Sequence, residues 1–288
     1  MEHIVESELL AHGIRSLSNE EIRKVWGDTS SQIVWMEQGQ IIIDGIDRFL
    51  EFRKKLFDIP VRPGTAAPRE AALIAGMTGK TRRVTYYNLD IYAEDKADAV
   101  LTASGTMSVC AREGIDAAVT AGISGFFPEM LYGSEEVLVT KGDGPPDIAA
   151  LTALSVTLVS SGLKDMFDHK GTFRYLEQHG VRSIGVNRSC YTGYLFAGDQ
   201  AALSRSGEPA ASDHSVLIVN EINEEKRIQD RKILDQAIEY GLEAERQGGY
   251  YMPVVNDRVD QLTDGQSARI QLQALVDNAL LAAELTSD

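Results

Sequence analysis

The chain has 288 residues, 43% of them hydrophobic and 25% charged, enough to bury a sizeable core without disulfide staples. Its 28 basic and 43 acidic side chains give a net charge of −15, which disfavours nucleic acid and anionic membranes as partners. Two cysteines, an acidic N-terminus without a signal-peptide pattern and no apolar run near the roughly 18 residues of a membrane span point to a reduced, cytoplasmic protein.

In chain order, residues 1–30 read as a helical N-terminal extension, with Ser18 and Glu20–Glu21 as capping signals. Ile33-Val34-Trp35-Met36 reads as a buried strand ending at Glu37, and apolar residues at 46, 49, 50 and 56 suit an amphipathic helix over 44–56. Pro60, Pro63, Gly64 and Pro68 mark an irregular connection, after which Pro68-Arg69-Glu70 opens a short helix. From about residue 97 helices alternate with short apolar strands. Helices are expected over 104–112, 148–154, 172–179, 228–247 and 267–285, and strands over 117–120, 156–160, 181–186 and 217–220. This alternation implies one domain, an α/β/α sandwich around a mainly parallel central sheet. Ligands of such sheets sit at strand C-terminal ends, where Glu37, residues 120–125, residues 160–164 and Asn220 fall.

Lys164 follows a strand and a turn, where a buried amine could attack a carbonyl carbon; in isolation a solvated loop lysine is the simpler reading. Glu37 could serve as a general acid or base, or merely emerge from a strand end. Asp147, behind Gly144-Pro145-Pro146, could cap a helix or bind a hard cation. The turn Thr120-Ala121-Gly122-Ile123-Ser124-Gly125 could cradle an anion, but it is neither a dinucleotide nor a P-loop fingerprint. The five histidines form no close pair, so zinc is disfavoured.

Together these segments resemble the pseudouridine-5′-phosphate glycosidase family, which includes indigoidine synthase A-like proteins. The most specific stretch is Ser161-Gly162-Leu163-Lys164-Asp165-Met166-Phe167-Asp168, followed by Thr172 and Tyr175-Leu176-Glu177. The resemblance implies that Lys164 forms a Schiff base with a ribose C1, and that Asp147 ligates Mn²⁺ (or Mg²⁺). Val34-Trp35-Met36-Glu37 resembles the strand whose glutamate is the acid–base catalyst. Substrate-binding roles fall by resemblance on Arg83, Thr106, Thr120, Gly122, Asn220 and Gln271, the last standing where the family has asparagine. Phe127 stands at the position of a phosphate-binding histidine, Pro145 replaces a serine, and Arg83 replaces a lysine. The expected activity is cleavage or formation of the C1 carbon–carbon bond of a ribosyl, pseudouridine 5′-phosphate-like substrate. Glycosidase or lyase action on a different sugar conjugate, phosphorylated or unphosphorylated, is the alternative, as is a non-catalytic sugar-binding homologue. The family also implies a homotrimer.

Overall fold

The computed structural model describes residues 2–57, 81–127, 145–198, 200–206, 215–247 and 251–286. The expected connection at Pro60–Pro68, the helix opening at Pro68 and the segment from Pro128 to Met130 lie outside them. Among the described residues the main sheet has ten strands: β1 (His3–Val5), β2 (Gln32–Glu37), β3 (Gln40–Asp44), β4 (Thr81–Val84), β5 (Asp98–Leu101), β6 (Ala117–Val119), β7 (Thr157–Ser160), β8 (Val181–Gly185), β11 (Arg205–Ser206) and β12 (Ser215–Val219). Two short strands, β9 (Cys190–Tyr191) and β10 (Ala201–Ala202), pair separately. The main sheet runs β11-β8-β12-β7-β6-β1-β2-β5-β4, with β3 folded back on β2.

Strands β11, β8, β12, β7, β6, β1 and β2 are mutually parallel; β3 and β5 each run antiparallel to β2, and β4 runs parallel to β5. The sheet is thus mainly parallel, as the sequence pattern implies. Helices cover both faces. In each central strand adjacent residues sort to opposite sides: Ile4, Ala118, Leu158 and Leu217 enter one core, and Val5, Val119, Val159 and Ile218 the other. Strands buried on both faces read as continuous apolar runs rather than alternating ones, as these do. The first core is covered by α4 (Ala103–Glu113), α5 (Pro146–Ala153) and α6 (His169–Gln178) through residues such as Met107, Leu151 and Phe173. The second is covered by α1 (Asn19–Trp26), α2 (Ile46–Phe57), α7 (Lys232–Arg246), α8 (Tyr251–Leu262) and α9 (Gln266–Thr286). A last helix, α3 (Leu89–Glu94), lies between β4 and β5.

The N-terminus departs from expectation. Residues 1–30 are not a purely helical extension: β1 is an interior strand between β2 and β6, followed by a π-helical turn, Leu9–Gly13, and then α1. Three residues are too few for periodicity to reveal, and β1 is set by tertiary pairing on both edges. The hairpin partner β3 also escaped the pattern. Its two-residue turn uses Gln38 at φ 51° and Gly39 at φ 80°, the left-handed pair of a type I′ hairpin without the usual Asn-Gly signature.

Candidate active site

The register of the central strands aligns their C-terminal ends. Val5 pairs with Val119, Val119 with Val159, and Ser160 with Val219. One residue further on, the backbone bonds Glu6 N–H to Val119 O, Thr120 N–H to Val159 O and Asn220 N–H to Ser160 O continue the ladder at 3.0, 3.0 and 2.8 Å. Glu6, Thr120 and Asn220 are therefore neighbours on one sheet edge, as ligand-binding α/β sheets arrange their polar residues.

Lys164 reaches this edge because the loops after β6 and β7 go on pairing beyond the strands. Ile123 N–H donates to Gly162 O at 3.0 Å and Lys164 N–H to Ile123 O at 3.1 Å. Gly162 makes the turn at φ +106°, and a Cβ there would lie 2.4 Å from the Tyr191 ring. The Tyr191 hydroxyl donates to Leu163 O at 2.6 Å, fixing the residue before the lysine. Lys164 itself is buried.

Two carboxyl groups feel the charge of Lys164, and a third acts on one of them. The lysine acts on both Glu6 and Glu8, and Asp147 acts on Glu6. Burial pushes the Glu6 carboxyl up to about 8; Glu8 and Asp147 add to the rise, while the Thr120 hydroxyl bond and Lys164 oppose it. Burial also works against ionisation of Glu8, but the Arg83 guanidinium, 3.1 Å away, then Lys164 and His12 outweigh it and hold the carboxyl below its usual range. Asp147 projects from the first turn of α5. Its Oδ1 accepts from Ser104 N–H at 3.0 Å, at the start of α4, and its Oδ2 from the N–H and hydroxyl of Ser124 at 2.9 and 2.8 Å. It therefore ties the loop after β6 to α4 instead of capping its own helix.

Those three bonds leave a lone pair on Asp147 Oδ1, which fits a hard divalent ion held chiefly by waters. A protein cage is a different matter: among the described residues no three His, Cys, Asp or Glu side chains group to form one.

The remaining sequence-predicted residues sort clearly. Thr120 donates to Glu6, and its carbonyl accepts from Asn278 Nδ2 at 2.7 Å. Asn220 donates to Asn278 Oδ1 at 3.0 Å, so Asn278 links two strand ends. Gln271 is buried on α9 and accepts from the Tyr194 hydroxyl at 3.4 Å, while the Tyr194 ring packs where a Cβ on Gly122 would stand. Thr106 is buried near the site, but its hydroxyl donates to Thr102 O within its own helix turn, at 2.9 Å. Phe127 packs its ring against Phe167 and Tyr251, 5.1 and 5.0 Å between centroids.

Glu37 is the exception. It lies at the far end of β2, three residues past the level of Glu6, about 10 Å along a strand. Its carboxylate bonds Trp35 Nε1 at 2.9 Å and pairs with Arg48 at 2.7 Å, and none of these partners belongs to the Lys164 cluster. The glutamate that stands at the end of a buried strand beside the lysine is Glu6. The same signal marks it in the sequence, an apolar run ending in Glu, but that run is only Ile4-Val5. Asp165 was also missed as a structural residue. Its carboxylate accepts from the N–H groups of Tyr194, Leu195 and Phe196 at 2.9, 2.8 and 3.2 Å, holding the loop that carries Tyr191 and Tyr194.

Pseudouridine-5′-phosphate glycosidase of Fervidobacterium nodosum is 24% identical over 98% of this chain and 91% of its own length. The Geobacillus kaustophilus enzyme of the same name is 26% identical over 74% of this chain and 73% of its own. Among solved structures, the prealnumycin C-glycosynthase AlnA in complex with ribulose 5-phosphate superposes with a TM-score of 0.70 at 18% identity, covering 99% of this chain and 90% of that one. An indigoidine synthase A-like protein from Thermotoga maritima gives 0.69 at 19% identity, covering 99% and 91%. The family model of indigoidine synthase A-like proteins matches residues 67–288, and the chain belongs to that family, as a divergent member.

Proposed function

We propose that this protein makes or breaks the C1 carbon–carbon bond of a ribosyl substrate through an imine on Lys164, with Glu6 as the proton shuttle. The observation that carries the reading is the placing of a buried lysine beside a buried carboxyl that keeps its proton to about pH 8, on the sheet edge where such folds bind ligands.

A carbon leaving group is hard to expel, because it offers no oxygen or nitrogen lone pair to protonate. An amine at C1 removes the difficulty by turning that carbon into an electron sink. In the cleavage direction, Lys164 first gives up its ammonium proton to solvent; Nζ of the free amine then forms a bond to C1 as the C1–ring-oxygen bond breaks, and Glu6 gives its proton to that oxygen. The resulting Glu6 carboxylate takes a proton from the alkylated nitrogen. The nitrogen lone pair then forms the C=N bond while the C1–carbon bond breaks, and the departing carbon takes the proton back from Glu6. Water hydrolyses the imine, releasing the sugar aldehyde and Lys164. Synthesis is the reverse sequence. Asp147 would hold Mn²⁺ or Mg²⁺ through its free Oδ1 lone pair, and such an ion would lend positive charge to the substrate's oxygen groups.

The family supports an enzyme of this kind: the relatives are named as glycosidases and as a C-glycosynthase. Borohydride reduction during incubation with pseudouridine 5′-phosphate or pseudouridine tests the reading. The expected result is a mass increase on the peptide containing Lys164. Turnover of either compound with no adduct at Lys164 would sink the imine mechanism.

A further inference from the structure

Asn278, on α9, is fully buried, and its amide meets three loops at once. Nδ2 donates to Thr120 O at 2.7 Å and to the Ser161 hydroxyl at 3.1 Å, and Oδ1 accepts from Asn220 Nδ2 at 3.0 Å. Thr120, Ser161 and Asn220 are each the first residue beyond one of three neighbouring strands, β6, β7 and β12. An amide has two N–H donors, and both are taken up by these partners. With no donor left and no exposed surface, Asn278 does not itself touch a substrate. Whatever it does for the reaction passes through the residues it holds.

Two of those residues lead directly to the reacting groups. The Thr120 hydroxyl donates to Glu6 while the Thr120 carbonyl is held by Asn278. Ser161 opens the turn that ends at Lys164, and its N–H donates to Ala121 O at 2.9 Å. The loops after β6 and β7 thus run side by side, one carrying the partner of the acid and the other the amine, and Asn278 clamps both at their roots. Holding α9 against the sheet does not require this amide, since Leu275, Ala279 and Ala282 are buried there on the same helix. A single buried asparagine among apolar neighbours fixes one register out of several. Proton transfer needs donor and acceptor within about 2.6–3.2 Å, and a misplacement of about 1 Å costs on the order of 10²-fold in rate.

We propose that Asn278 is a positioning residue for the reaction: by gripping Thr120 and Ser161 on one amide, it sets Glu6 and Lys164 in register with each other. The inference rests on the Lys164–Glu6 reading above and adds the residue that aligns the two groups. The titratable groups that act on Glu6 or feel its charge are Glu8, Lys164, Asp147 and Tyr194. None is among the hydrogen-bond partners of Asn278, so a substitution there shifts the placing of these groups without removing any of them.

A double-mutant cycle on turnover of pseudouridine 5′-phosphate by the full chain tests the idea, each variant being assayed below its own unfolding transition. Asn278→Ala should lower kcat tenfold or more and change KM less than threefold. In a Glu6→Gln background the same substitution should lower kcat less than threefold further, because the group it places is already gone. A further loss of threefold or more overturns the proposal, since a residue that only stiffens the fold acts whether or not the shuttle is present. So does a smaller loss of kcat in Asn278→Ala alone, or a loss carried by KM. Asn278→Ser, too short to span the three partners, carries the same expectation where the alanine variant does not fold. If neither folds, Asn278 serves the fold as a whole and the proposal fails. The outcomes also separate the two readings: an unchanged kcat in Glu6→Gln alone removes the shuttle, whereas a slow Glu6→Gln with a further loss in the double variant removes only the positioning role.

Discussion

The Thr120 hydroxyl donates to Oε1 of Glu6 at 2.5 Å, across the adjacent parallel strands β6 and β1. That bond favours the ionised carboxyl, yet burial and the neighbouring carboxylates of Glu8 and Asp147 prevail and keep the proton on to about pH 8. A group that is protonated at neutral pH and can be ionised by a small change of surroundings suits both directions of proton transfer.

The activity of the free enzyme should therefore fall as pH rises through about 8, measured as kcat/KM on the substrate that gives the Lys164 adduct. Stability should follow with its own sign. The folded Glu6 carboxyl holds a proton that the unfolded one, with a usual value of 4.5, releases, so its contribution is present below pH 4.5 and is lost as pH rises toward 8. His12 acts oppositely but only below its ordinary 6.5, since its folded value is about 4. Between about pH 6.5 and 8 the Glu6 effect should dominate these two. The midpoint of urea unfolding should drop across that window in the unmodified protein and stay flat in Glu6→Gln.

Glu6 and Glu37 make a matched pair of substitutions. Glu6→Gln keeps the shape and removes the proton shuttle, and kcat should fall about 10²–10⁴-fold. Glu37→Gln breaks partly exposed pairs with Arg48 and Lys55, worth about 0–1 kcal/mol, and should leave kcat within about twofold. A reversed result, with Glu37 the sensitive position, would return the acid–base role to the outer end of β2.

The contrast shows what the sequence can and cannot carry. Lys164, Asp147, Thr120 and Asn220 were legible because each ends an apolar run or opens a helix long enough to recognise. Glu6 was not, because β1 has three residues and owes its existence to partners 28 and more positions away, such as Ile33 and Val119. Pairing between distant segments leaves no local period. The lysine motif was legible for mixed reasons: Asp168 caps α6 through Gly171 N–H at 3.0 Å, and Thr172 accepts from Phe126 N–H at 3.1 Å. Much of that signature is scaffolding for the loop in front of it.

Gly162 is one such scaffold position. At φ +106° it occupies backbone space that a side chain resists, and an added Cβ would lie 2.4 Å from a Tyr191 ring whose hydroxyl is anchored on Leu163. Gly162→Ala combines backbone strain with overpacking, each worth about 1–3 kcal/mol. A loss of about 3 kcal/mol in denaturant unfolding is expected, with slower adduct formation at Lys164.

Asp165 provides the most demanding test of how the site is held. Its buried carboxylate gathers three consecutive N–H groups, so one side chain orders the segment that lays Tyr191 on Gly162 and Tyr194 on Gly122. Asp165→Ala leaves those donors without their acceptor in a buried place, at about 1–3 kcal/mol for each that water cannot reach. The expected loss is about 3 kcal/mol or more. Asp165→Asn should cost less, since its carbonyl oxygen can still accept while its amide faces at least one donor. If the segment positions the lysine, both variants should slow borohydride trapping at Lys164 in the same order as they lose stability, even at temperatures where they remain folded. Trapping rates equal to the unmodified protein, alongside the lost stability, would show that Lys164 is placed by its own loop pairing with Ile123 alone.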